Sequence, residues 1–243
     1  MQEFSMKRFV TIFLIFSTVL LAQEPKKEAQ KTEATDNPLV ATTYLDEYHA
    51  SQYSEKMKDI MRGHIHKLGV LVTNFNSQVE KSAQDYDLIK ETYKQGLELF
   101  YKNRHIQSKE KLQESYRLSQ ELYKRFALKF QEQNTEILKN CARGITDLEM
   151  GEAGAGQAAE STLLSNVRYK LQIAYGQTRS AEDMLEQSRN DIAIQHFRLA
   201  KMYGIDILKR IEKDPAKKAE IEKKYKLDLV DGIGKTMPHS GSP

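Results

Sequence analysis

Apolar residues recur at steps of three and four along most of this chain, and that rhythm admits one kind of local structure. Met61, Ile65, Leu68, Val72, Phe75 and Val79 follow steps of four, three, four, three, four. At 3.6 residues per turn such positions fall on one stripe of an α-helix, in the manner of a heptad seam. The pattern starts near Tyr44 and resumes at Tyr86, Ile89, Tyr93, Leu97 and Phe100 before a polar break at Lys102 to His105. Leu112, Tyr116, Ser119, Tyr123, Phe126, Phe130, Gln133 and Ile137 carry it into a third helix. Unbroken from Ile106 to about Leu148, this helix is on the order of 60 Å long. After a glycine-rich stretch the stripe returns at Leu164, Val167, Leu171, Ala174, Thr178, Ala181 and Leu185, turns at "SRND", and continues through Ala193, Phe197, Ala200, Gly204, Ile207 and Ile211. Asp214-Pro215 reads as an N-cap and first-turn proline opening a short basic helix that ends near Asp231-Gly232. No segment alternates as a strand does. The expectation is an all-α fold, an elongated bundle of long antiparallel hairpins.

The two halves superpose at an offset of 85 residues, with Tyr86, Ile89, Tyr93, Gly96 and Phe100 over Leu171, Ala174, Thr178, Ala181 and Leu185. Ser108, Leu112 and Ser115 then fall on Ala193, Phe197 and Ala200. Each half thus reads as a hairpin whose helices approach through small residues, a weakly tetratricopeptide-like spacing. The helices are long for that repeat, and two units are few for a solenoid. Between the halves stands "GEAGAGQAAES". Its Gly151, Gly154 and Gly156 would each cost about 1 kcal/mol inside a helix, so residues 151–157 are expected to be a joint where the third helix ends or bends.

The remaining boundaries come from composition. Lys7 and Arg8 precede an apolar run from Phe9 to Leu21 and a small residue at Ala22, which reads as a signal peptide over 1–22, short for a membrane span. No cysteine follows to take a lipid, so no membrane anchor is expected after cleavage. Residues 23–42 are polar and read as a disordered leader. The helical body then divides into 43–150 and 158–231, with a flexible tail over 232–243. With one cysteine, Cys141, an exported chain has no disulfide framework, and Cys141 on an apolar stripe reads as a core residue. The net charge of +3 is spread over many mixed charges, which gives no case for nucleic acid or lipid as partner.

Signals for chemistry are weak throughout. Gly154-x-Gly156-x-x-Ala159 spells a dinucleotide fingerprint, but the upstream residues are helical, so the strand that delivers such a loop is missing. Gly234, Lys235 and Thr236 imitate the end of a P-loop with Leu229 where its first glycine belongs. No nucleotide, other cofactor or metal is expected. His64 and His66 point about 200° apart on a helix and cannot share an ion. The carboxylates have basic residues three or four places away, as solvated helices do. Candidate partner contacts are the tyrosines Tyr44, Tyr48 and Tyr53 at the start of the first helix, the off-stripe Tyr101 and Tyr169, and the basic last helix with Lys217, Lys218, Lys223, Lys224 and Lys226.

An exported, cysteine-poor, wholly helical chain with hairpins such as "ETYKQGLELFYKNRHIQSKEKLQESYRLSQELYKRF" resembles the flagellar coiling proteins of Leptospira-type spirochaetes. The resemblance implies a non-enzymatic part of the sheath around the periplasmic flagellar filament, contributing to its coiling and to motility. It also implies contacts with other filament and sheath proteins and with further copies of itself within the filament. It carries over no individual residue. The competing expectation is an exported tetratricopeptide-like adaptor that holds a protein or peptide partner, followed by a surface adhesin.

Overall fold

A computed structural model of the chain describes residues 43–152 and 158–229, and all regular structure among them is helical. Six α-helices follow in order: α1 (Tyr44–Phe75), α2 (Ser82–Tyr101), α3 (His105–Glu152), α4 (Ala158–Glu186), α5 (Asn190–Ile211) and α6 (Pro215–Lys224). The fold is an all-α helical bundle.

Local chemistry sets the ends of these helices. Thr43 opens α1 with a capping box: the Asp46 N–H donates to Thr43 Oγ1 (3.3 Å), and the Thr43 N–H donates to the Asp46 carboxylate (3.0 Å). Asp214 caps α6 by accepting from the Ala216 N–H (2.9 Å), with Pro215 in the first turn, as the sequence predicts. One difference lies at the end of α1. The seam predicts a helix through Val79, but α1 stops at Phe75, a short 3-10 turn spans Asn76–Gln78, and Val79 is extended. Val79 stays buried by this route, so the apolar rhythm continues across a bend.

α3 is the spine. At 48 residues it is roughly 70 Å long. α1 lies parallel beside its first part, since Tyr53 meets Lys109, His64 meets Tyr116 and Tyr123, and Phe75 meets Phe130 edge-on. α2 runs antiparallel to the same part, with Ser108 against Gly96 and Ser115 against Ile89. α5 lies parallel to the later part through Asn190 on Gln120, Asn134 on Phe197 and Cys141 on Gly204. α4 runs antiparallel to it, with Glu182 beside Gln131 and Arg168 beside Glu149.

Two apolar clusters follow the spine. The first joins Met61, Leu68, Phe75, Ile89, Leu112, Tyr123, Phe126 and Phe130 to Ala181, Ala193, Ile194 and Phe197. The second contains Ile137, Cys141, Ile145, Val167, Ile205 and Ile207, with Ile221, Tyr225 and Leu229 packed on its margin. Residues from both sequence halves build the first cluster, so the chain halves are not separate cores. α3 remains helical through Gly151 to Glu152 and α4 begins at Ala158. Gly154 and Gly156, like residues 1–42 and 230–243, fall outside the described residues, and with them the signal, leader and tail.

Candidate functional site

The tyrosines named from sequence fall into different environments. Tyr44 (86 % exposed) and Tyr48 (51 %) lie one turn apart at the start of α1, with Leu45 exposed between them. The Thr43 box holds this turn in place, ahead of Ala50, the first buried residue of α1. Tyr53 does not belong to that patch. Its ring packs on the first cluster with the Lys109 ammonium 5.7 Å from its centroid, because three residues beyond Ala50 the stripe already faces the spine. Tyr101 (70 %) closes α2, and Tyr169 (65 %) lies on α4. Tyr169 belongs to the far end of the spine, about forty residues of α3 from Tyr44, on the order of 60 Å. The structure therefore gathers Tyr44 with Tyr48 and sets Tyr169 apart from them, while Tyr101 ends α2, whose antiparallel run beside α1 (Tyr86 on Ile65, Tyr93 on Lys58) brings it toward the start of α1.

The basic helix ends at Lys224, short of the expected Asp231, so Lys226 lies in the turn after it; Lys217, Lys223, Lys224 and Lys226 are exposed, whereas Lys218 is half-buried. Lys224 lies over the Tyr225 ring at 5.1 Å, and Lys209 of α5 pairs with Glu222 at 2.5 Å. α6 buries no residue fully, so it and the segment after it are held to the bundle by the partial burial of Ile221, Tyr225 and Leu229, by the Lys209–Glu222 pair and by one buried ion pair. In that pair Lys201 of α5 is only 2 % exposed and donates to Asp228 Oδ1 (2.6 Å) and Gln133 Oε1 (2.6 Å), between the rings of Phe130 and Tyr225. Burial pushes the Lys201 ammonium below its ordinary value, against the pull of Asp228.

Sequence reasoning missed a concave feature. An open groove of about 840 Å³ runs between α3 and α4, floored by Leu138 and Ala142 and flanked by the Tyr175 ring. Lys139 and Arg143 line it from α3, one turn apart, and Arg179 faces them from α4. None of the three forms an ion pair among the described residues, although Glu136, Asp147 and Glu182 stand three or four places away in sequence. Glu182 instead accepts from Gln131 at 3.1 Å. The available signal was the like-charge pair Lys139 and Arg143 on one helix face, which mutual repulsion makes unfavourable unless something compensates.

Groups with potential reactivity are occupied in packing. Cys141 is fully buried, its thiol donates to the Gly204 carbonyl (3.2 Å), and burial pushes it up to about 12, far from the thiolate. His64 is half-buried between Tyr116 and Tyr123 and accepts the Tyr123 hydroxyl at its backbone carbonyl (3.1 Å). Among the described residues no group of three His, Cys, Asp or Glu side chains is placed to hold a metal ion. None of the described helices is long and apolar enough to cross a membrane. No family model, curated protein or solved structure matches the chain.

Proposed function

We propose that this chain is a non-enzymatic structural component of the periplasmic flagellar filament sheath that contributes to filament coiling. The supporting observation is the spine: a 48-residue helix flanked along its length by others gives a large lateral surface, and exposed aromatic rings lie near both of its ends. A sheath subunit holds through many modest contacts repeated along a filament, which such a surface can supply.

The test is fractionation followed by substitution. The protein should copurify with isolated periplasmic flagella. Tyr44→Ser with Tyr48→Ser, leaving Tyr53 to its packing role, should preserve helix content and melting while removing the protein from flagella and straightening them. Recovery of the wild-type protein in the soluble periplasmic fraction alone would overturn the reading.

A second reading, an exported tetratricopeptide-like adaptor for a protein or peptide, has its own observation. The α2–α3 and α4–α5 turns share backbone geometry residue for residue, with Asn103 (φ 56°) and Ser188 (φ 58°) both left-handed, and a concave groove opens beside the second hairpin. An adaptor would remain soluble and be captured with its partner.

A further inference from the structure

We propose that the groove between α3 and α4 docks an acidic segment of a partner protein, whose carboxylates meet Lys139, Arg143 and Arg179 and whose apolar side chains lie on Leu138, Ala142 and Tyr175. The inference rests on the reading that this chain acts through protein contacts and names one of them.

The charge distribution carries the argument. Most cations elsewhere on α3 and α4 are paired within the molecule: Lys111 with Glu114, Arg117 with Glu121, Arg125 with Asp85, Lys129 with Glu132, Arg168 with Glu149 and Lys170 with Asp206, whereas Lys109 packs over the Tyr53 ring and Lys124 lies outside the groove. In the groove three cations converge without such partners. Lys139 and Arg143 are neighbours on one face of α3, and the antiparallel register brings Arg179 of α4 into the same groove on the Lys139 side. The two acids of the groove stand toward its ends, Glu182 at the Gln131 end and Asp147 at the other. The field is therefore positive at the centre and closed off at both ends, which favours a short run of carboxylates over a long polyanion.

The remaining parts of the chain do not supply that run. Residues 1–42 carry five basic and five acidic residues, and residues 230–243 carry one of each. A planar anionic membrane fits poorly, because a concave groove with acids at its ends cannot lie flat on headgroups. An acidic stretch of another protein fits the volume, the apolar floor and the sign of the charge, and two of the three cations are arginines, which bind carboxylates bidentately.

The probe is a fluorescein-labelled decaglutamate peptide titrated with the full mature chain at low ionic strength and followed by anisotropy. Wild type should bind saturably. Lys139→Glu with Arg143→Glu and Arg179→Glu should weaken binding at least about tenfold with an unchanged circular dichroism spectrum, since three surface charge contacts are lost. Lys217→Glu with Lys223→Glu and Lys226→Glu, a matched reversal on α6 and the turn after it, should change it by less than about threefold. If the reversed groove does not fold, the Gln triple variant at the same positions gives the decision. Equal losses from both triples would show nonspecific attraction and overturn the proposal, as would no binding by wild type. Triad-dependent binding to phosphatidylglycerol vesicles without peptide binding would assign the groove to lipid and also overturn it. Copurification with flagella judges the sheath reading separately: normal copurification of a peptide-binding-deficient triad variant leaves that reading standing and removes the groove from it.

Discussion

The α2–α3 and α4–α5 hairpins are one backbone unit built twice with different side chains. In the first turn the Asn103 N–H donates to the Phe100 carbonyl (3.0 Å) and the Arg104 N–H to the Leu99 carbonyl (2.9 Å). In the second, Ser188 donates to Leu185 (3.0 Å) and Arg189 to Met184 (2.9 Å). These are paired helix-ending bonds of the kind that satisfy orphan carbonyls around a left-handed residue. The interiors differ. The first hairpin closes with serines, as Ser108 donates to the Gly96 carbonyl (2.8 Å) and Ser115 to the Ile89 carbonyl (3.0 Å). The second closes with buried Ala193 and Ala200 at the equivalent places. The surroundings differ as well: Tyr116 remains partly exposed beside His64 of α1, whereas its counterpart Lys201 is buried under the segment that follows α6. Backbone geometry is thus conserved by turn chemistry and small residues, and the flanking segments decide what each hairpin's outer face becomes.

The largest effects should come from the equivalent knobs Leu112 and Phe197, both fully buried. A Cβ at Gly96 would stand 2.9 Å from Leu112 Cδ2, which shows how little room remains around that side chain. Phe197→Ala should cost about 3–5 kcal/mol and Leu112→Ala about 2–5 kcal/mol in urea unfolding. A single shared transition for both variants is expected, because the first cluster contains residues of both hairpins. Two transitions would break the picture of one continuous core.

Next comes the feature that distinguishes the second hairpin. Asp228→Ala leaves the Lys201 ammonium buried without its counter-ion, which should cost about 3 kcal/mol. Lys201→Met, which keeps the apolar stem and removes the charge, should be close to neutral. Equal losses from the two substitutions would mean that packing of the stem, not pairing of the charge, holds the segment after α6.

A smaller effect tests the equivalence of the interiors. Ser115→Ala should cost about 1 kcal/mol for one hydrogen bond. Ala200→Ser should change stability by less than about 1 kcal/mol, because by analogy the new hydroxyl faces the Ala174 carbonyl and can donate to it. A larger loss would show that the second hairpin is packed more tightly than the first at this point.

The sequence made the repeated unit legible because steric rules act locally. Spacing of three and four placed the stripes, and small residues at Gly96, Ser108, Ser115, Ala181, Ala193 and Ala200 marked the close approaches. The all-α fold followed from the same signal, and the Asp214-Pro215 cap was readable for the same reason. What lies between elements was not readable. Tyr53 was grouped with Tyr44 and Tyr48 by proximity in sequence, but the stripe turns it toward the spine. Tyr116 lies on the stripe and is still partly exposed. Lys201 reads as an ordinary solvated lysine until Gln133 of α3 and Asp228 of the segment after α6 are brought to it. The cationic groove escaped notice because carboxylates stood at pairing distance along the sequence, and only the rotamers and the facing helix show that those pairs do not form.

The smallest predicted effect concerns pH and again separates the two hairpins, since it belongs to the Tyr116 side. His64 is pushed below its ordinary value of 6.5, chiefly by burial, with Lys67 acting the same way and Asp191 opposing. Tyr116 and Tyr123 of α3 face its ring. A histidine whose folded value is depressed binds fewer protons in the folded chain than in the unfolded chain between the two values. Stability therefore rises with pH across that window: the contribution is complete above about 6.5 and is lost as pH falls toward the folded value. Melting measured from pH 7.5 down to 5 should show a decline that is shallower in His64→Gln, and the difference should appear below 6.5 and not above it. Tyr116→Phe should retain the wild-type slope, because it keeps the ring that desolvates His64. An equally steep decline in His64→Gln would place the proton uptake elsewhere and would remove this distinction between the hairpins.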